Sequence, residues 1–297
     1  MLAKVSAEDS MKTLIIPQSF RCLDAVMKYL NLGCGHHYSC DPSWTNLDFI
    51  ETGKGVIAHN LLAGVPFAGN SFDLVYHSHV LEHMTKADGE KFLAECLRVL
   101  KPGGVLRIAV PDLEQIVRHY LRLLEVGLAD PDDDKARKDY HWILLELFDQ
   151  AARNRSGGEM AAYLSQDEIA NEEFVFGRIG LEGRSIRRIL LEHAEKRRKA
   201  SSLRVWWKAF WRGIQSAVRG DSARQAKIGR FRLGGEVHQW MYDRYSLAGA
   251  LQGLGGKDIV VRRASESYVA GWSEFGLDTV GGEVRKPDSL FMEAVKR

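Results

Sequence analysis

Three side chains in the run His79-Val80-Leu81-Glu82-His83 can move a proton or hold a metal ion. With Asp112 and with His238, in Glu236-Val237-His238-Gln239-Trp240, they make up the candidates for a general base. His83 and His238 come first, and Asp112 is the third catalytic candidate. The same five residues also fit H-x-x-E-H, an inverted zinc-peptidase signature. That chemistry needs both histidines on one face of a regular helix and a further carboxylate ligand. Here the first histidine directly follows an apolar run, so no metal site is expected. Cys34, His36, His37 and Cys40 are also close in sequence, but their spacing matches no zinc pattern.

A second group points to a nucleoside. Tyr29–Gly35, Y-L-N-L-G-C-G, reads as a strand leaving through a tight turn, with Gly33 and Gly35 giving backbone room for a ligand. Thirteen residues after Gly35, Asp48 closes a second strand and can accept from two ribose hydroxyls. Asn60, at the end of a third extended piece, carries the acceptor and donor an adenine edge needs; a turn asparagine is the equal alternative. Asn31 and His77 join the set through their places in the first and fourth strands.

The elements that must position these residues alternate. Strands are expected at Tyr29–Leu32, Thr45–Ile50, Val56–His59, Phe72–Tyr76 and Val105–Val110, with a helix over Val80–Leu100 stopped by Lys101-Pro102-Gly103-Gly104. Such alternation implies a parallel sheet covered on both faces, with ligands at the carboxyl ends of its strands. Beyond Asp112 the pattern turns helical: Leu113–Val126 and Tyr140–Ala152, with Glu173–Ile179 the one strand-like run. The chain returns to the sheet through a helix at Tyr242–Leu254, closed by Gly255-Gly256, and strands at Asp258–Arg262 and Leu290–Val295. The expected organisation is a sheet domain of 1–112 and 236–297 interrupted by a helical insertion or lid of 113–235, with 1–27 a leader on the sheet edge.

The segments N-L-G-C-G, N-L-D-F, L-A-G-V-P-F-A-G-N-S-F-D-L-V-Y-H-S-H-V-L-E-H-M and L-R-V-L-K-P-G-G-V-L-R-I-A-V-P-D together resemble the class I S-adenosylmethionine-dependent methyltransferases, the type 11 branch in particular. The resemblance covers Tyr29–Asp112 well and Glu236–Arg297 more loosely. It implies an α/β fold: a Rossmann-like, seven-stranded, doubly wound sheet with a large, mostly helical insertion. It also implies S-adenosyl-L-methionine as cofactor, its methionine part at Gly33 and Gly35, its ribose on Asp48 and its adenine against Phe49. The implied activity is methyl transfer to a hydroxyl on a small molecule or glycan, a lipid-linked or surface-polysaccharide sugar among them. An S-adenosylmethionine-binding protein without catalysis is the alternative. Three departures stand out: a missing or very short first helix, Asn60 where Asp is usual, and the size of the insertion.

The composition narrows the partners. Net charge is only +2, so no nucleic-acid partner is expected of the whole chain. The basic charge concentrates in Arg184–Arg232, against the acids Glu192, Glu195 and Asp221. Within Leu203–Arg219, Leu203, Trp207, Phe210, Trp211, Ile214 and Val218 fall on one helical face. Arg204, Lys208, Arg212 and Arg219 fall on the other, an arrangement suited to an anionic membrane surface. The N-terminus lacks a signal-peptide core and the chain has no apolar run long enough to span a bilayer, so the expected place is the cytoplasm, with peripheral attachment at the inner membrane face.

Overall fold

The computed structural model of the protein describes residues 27–199 and 220–297. The leader up to residue 26 and the amphipathic stretch Leu203–Arg219 lie outside the described residues.

Seven strands form one sheet: β1 (Tyr29–Leu32), β2 (Trp44–Asp48), β3 (Val56–Ala58), β4 (Phe72–Ser78), β5 (Leu100–Pro111), β6 (Gly256–Arg262) and, after the small β7–β8 ribbon (Thr279–Val280, Glu283–Val284), β9 (Ser289–Lys296). Their order is β3-β2-β1-β4-β5-β9-β6. The first five are parallel, whereas β9 runs antiparallel to both β5 and β6. Chain order reverses between β1 and β4, and in such sheets a crevice opens there beyond the carboxyl ends.

The two faces are covered differently. One packs Leu30, Leu32, Val75, Ile108 and Met292 against α1 (Lys86–Val99), as expected of a βα unit. The other holds Trp44, Leu74 and Tyr76 under Trp272 and Leu277, which come from an irregular segment before β9. No helix occurs between β1 and β2, so this late segment covers the strand surface that a first crossover helix would occupy.

Several elements depart from the sequence expectation. Val80–Leu100 is not one helix: Leu81–His83 is a single 3₁₀ turn, Met84 is extended, and Thr85 starts α1 afresh by accepting from the Asp88 amide. The second strand ends at Asp48, and β5 runs from Leu100 through the Lys-Pro-Gly-Gly stretch. After α2 (Leu113–Ala129), α3 (Asp134–Leu144) begins earlier than expected because Asp133 caps it, and it passes through a π segment (Leu145–Asp149) into α4 (Gln150–Ala152). After α5 (Gly158–Leu164), the run Glu173–Ile179 lies within helix α6 (Glu172–Lys199), not in a strand. Its buried Val175, Phe176 and Ile179 follow helical spacing, which overrides their β propensity. Helices α7 (Gly220–Arg232) and α8 (Arg244–Gly253) complete the set.

The helical region has its own core, with Ile116, Leu123, Trp142, Ile143, Leu164 and Phe176 at its centre. At Gly180, α6 kinks with φ 57° and ψ −145°. A Cβ there would stand 2.5 Å from Pro287 Cδ, so only glycine lets α6 lie this close to the loop before β9.

Candidate functional site

The β1 turn is built for close approach. Gly33 has φ 65° and Gly35 has φ 54°, in the left-handed region that favours glycine. A Cβ on Gly33 would meet Val80 Cγ2 at 2.3 Å, whereas one on Gly35 would enter open space. The Cys34 amide donates to Leu47 and the Gly35 amide donates to Asp48 Oδ2 at 2.7 Å, so β2 holds the turn in place. Thr52 Oγ1 donates to the Gly35 carbonyl from the other side.

Around this turn lies a cavity of about 190 Å³, lined by Asn31, Gly33, Gly35, Tyr76, Ser78 and His79 among others. Its far wall is Glu182 on α6 and Arg285 and Lys286 before β9. A three-residue clip joins these parts: Arg285 donates to His37 Nδ1 at 3.0 Å, and His37 Nε2 meets Glu182 at 2.9 Å. That pattern assigns the proton to Nε2. The hydrogen bond from His37 holds the Glu182 carboxyl below its usual range.

A second cavity, about 170 Å³, lies between the sheet and the helical region, lined by Gln150, Arg153, Met160, Leu164, Ile179 and Asp288. His79, Glu182 and Lys286 line both cavities and form their shared wall.

His79 directly follows β4 with φ 55°, unusual for a residue with a side chain and of a kind that clusters at functional sites. Its Nε2 is 2.9 Å from Ser289 Oγ, and its Nδ1 is 3.0 Å from Glu82 Oε1 at an angle short of a directed hydrogen bond. Glu82 is fully buried; burial works against its charge and His79 works for it. His83 and His238 stand edge to face with ring centroids 4.8 Å apart. Burial lowers both imidazoles below the usual histidine value, His238 to about 3, so both are neutral near pH 7.

The remaining sequence candidates take distinct places. Asn31 lines the first cavity and donates weakly to the His37 carbonyl at 3.4 Å. Phe49 is exposed just beyond Asp48. Asn60 caps the 3₁₀ turn Leu61–Ala63 by accepting from the Leu62 amide, the turn role weighed for it. His77 is corrected: it lies on the opposite face of β4 from Tyr76 and Ser78, fully buried, its ring edge-on to Phe92. Burial pushes its imidazole down to about 4, and it lines neither cavity. Asp112 caps α2 through Oδ1, accepting from the Glu114 and Gln115 amides, and burial raises its carboxyl. His83 and His238 sit behind His79 and line neither cavity.

The zinc-peptidase geometry is overturned, because His79 is in a left-handed turn and His83 in a 3₁₀ turn, with no shared helical face. Cys34, His36, His37 and Cys40 form no metal-donor group among the described residues; burial pushes the Cys34 thiol up to about 11.

Glu182, Arg285 and Lys286 were missed by sequence reasoning. One signal was available. Because β9 is antiparallel, the loop before it sits at the same end of the sheet as the glycine turn, and Arg285-Lys286-Pro287-Asp288 is that loop.

Residues 22–108 match the family model described as a methyltransferase domain. A probable S-adenosylmethionine-dependent methyltransferase of Mycolicibacterium smegmatis is 41% identical over 98 residues, which cover 28% of this chain and 37% of that protein. A ubiquinone biosynthesis O-methyltransferase of Rhizobium rhizogenes is 30% identical over 112 residues, 31% of this chain and 44% of that one. The match thus spans less than half the length of these curated relatives. A solved Thermotoga maritima structure, a possible histamine N-methyltransferase, covers 94% of this chain and 87% of its own at 12% identity and TM-score 0.38. The matched part resembles a methyltransferase domain, and the Mycolicibacterium smegmatis relative is named for its dependence on S-adenosylmethionine. The residues present fit that group: the glycine turn leaves open space at Gly35, Asp48 keeps Oδ1 without a hydrogen-bond partner among the described residues, and Phe49 offers an exposed ring.

Proposed function

We propose that this protein transfers the methyl group of S-adenosylmethionine to a hydroxyl on a small molecule or glycan. One observation carries the reading: two cavities, one at the glycine turn and one against the helical region, share the wall made by His79, Glu182 and Lys286. In this reading the donor lies in the first and the acceptor in the second. Held at Gly33, Gly35 and Asp48, the cofactor would supply a sulfonium methyl for in-line transfer to the acceptor oxygen, with the C–S electron pair left on sulfur. The protein's share is to align acceptor oxygen, carbon and sulfur, and to take the hydroxyl proton. His79 is the base this arrangement favours, since it lines both cavities with Glu82 behind it. His83 and His238 are withdrawn from that role by their place behind His79.

Labelled methyl transfer to a panel of sugar and phenolic hydroxyls tests this. Transfer is expected in the wild type, and His79→Ala should lower kcat by about 10²–10⁴-fold. S-adenosylmethionine binding with no transfer to any acceptor would favour the non-catalytic alternative.

The basic, tryptophan-bearing Leu203–Arg219 supports a membrane-associated acceptor such as a lipid-linked sugar, through contact with anionic lipid. Among the described residues no helix is long and apolar enough to cross a membrane. Sedimentation with phosphatidylglycerol vesicles should retain the full chain and release a variant lacking 201–220. Equal retention of both would remove this part of the reading.

A further inference from the structure

We propose that Glu82, His83 and His238 form a binding site for one divalent transition-metal cation of the zinc class. One donor atom from each residue lies within 4.8 Å of the others. Around zinc, donors about 2.0–2.2 Å from the ion stand roughly 3.5 Å apart in tetrahedral geometry, so the set closes by about an ångström when an ion enters.

Glu82 Oε1 stands 3.0 Å from His79 Nδ1, while Oε2 is buried without a hydrogen-bond partner. His83 Nδ1 and His238 Nδ1 are each buried with no hydrogen-bond partner. The backbone is held as well: the His238 amide donates to Gln150 at 3.0 Å and the Gln239 amide donates to the Glu82 carbonyl at 2.7 Å.

A single cation satisfies all three donors. Two imidazoles and one carboxylate select zinc and its first-row neighbours over magnesium or calcium, and leave at least one coordination position open. Gln150, whose carbonyl accepts from the His238 amide, lines the second cavity, one residue away from the site. The binding site stands on this geometry alone; its use as a Lewis acid toward the acceptor oxygen rests on the methyl-transfer reading.

The test is titration of chelator-treated full-length protein with Co²⁺ and Zn²⁺, without cofactor or acceptor, followed by cobalt absorption and calorimetry. One ion per chain and a raised Tm are expected. His238→Ala and Glu82→Gln should each weaken binding beyond the roughly 100-fold that losing an outer-shell partner costs, with unchanged circular dichroism. His83→Gln replaces either variant that fails to fold. Lys286→Met should tighten binding, since that ammonium opposes a dication. A folded wild type with neither cobalt absorption nor zinc heat would overturn the site, as would wild-type affinity in the ligand variants. Neither result touches S-adenosylmethionine binding. Transfer unchanged after removal of a bound ion would overturn the Lewis-acid role alone.

Discussion

Two buried clusters of charge stand at opposite extremes. Arg107, fully buried on β5, uses every guanidinium nitrogen: Nε on Asp278 at 2.8 Å, Nη1 on Glu293 at 2.9 Å and the Glu266 carbonyl, and Nη2 on the Ala264 carbonyl at 3.1 Å. Its acids are equally engaged, Asp278 by Tyr76 and Trp272, Glu293 by Ser267 and the Tyr268 amide. The Glu82 cluster is less complete: His83 is half-buried, one carboxylate oxygen meets only His79, and the other and two buried imidazole nitrogens lack partners. A buried ion whose partners are complete fastens a fold; here it pins the irregular segment that covers the helix-free face. A buried ion kept incomplete costs stability, and that cost is expected where something else must bind or react.

The largest effect should come from the complete cluster. Arg107→Met leaves Asp278 and Glu293 buried and unpaired, and urea unfolding should show a loss of about 3–5 kcal/mol. Glu82→Gln, by contrast, should cost less than Arg107→Met, since it weakens one ion pair, with His79, rather than leaving two buried carboxylates unpaired. A Glu82→Gln loss as large as that of Arg107→Met would erase the distinction.

The glycine turn gives a smaller, internally controlled effect. Ala at Gly33 or Gly35 incurs left-handed strain of about 1–2 kcal/mol. Gly33→Ala adds the clash with Val80, so it should be the less stable of the two by chemical denaturation. Gly35→Ala should lose cofactor affinity with little further loss of stability. Equal behaviour would mean that Val80 gives way.

The smallest effect is in pH. The folded-state values of His77, about 4, and His238, about 3, lie below the ordinary histidine value of about 6.5. Their neutral burial is without penalty above pH about 6.5. As pH falls below that, the unfolded chain takes up protons first and stability drops, by up to about 1.4 kcal/mol per pH unit for each histidine. Denaturation between pH 7 and 4 should show this slope, and His77→Leu should flatten it; an unchanged slope would refute the assignment.

Much of the sheet was legible because strand and turn chemistry are local. The glycine turn and Asp48 stood out for the same reason, and the structure links them by one hydrogen bond. His77 was misread because β4 is apolar and buried on both faces, so alternation alone could not say which side meets the cavity. Two residues further on, His79 does line it, because the left-handed turn there breaks the alternation. Glu182 was invisible because it depends on how α6, kinked at Gly180, approaches the loop before β9, a contact between residues about a hundred positions apart. Glu173–Ile179 shows the limit of propensity, where a β-branched and aromatic run folded as helix once its buried positions matched the helical period.

The most direct measurement is calorimetric titration of S-adenosylmethionine into the wild type and Asp48→Ala. The wild type should bind one equivalent, and the variant should bind at least about tenfold more weakly, as loss of a charge-assisted hydrogen bond implies. No binding to folded wild type would contradict the methyl-donor site, and undiminished binding in the variant would contradict the place given to Asp48.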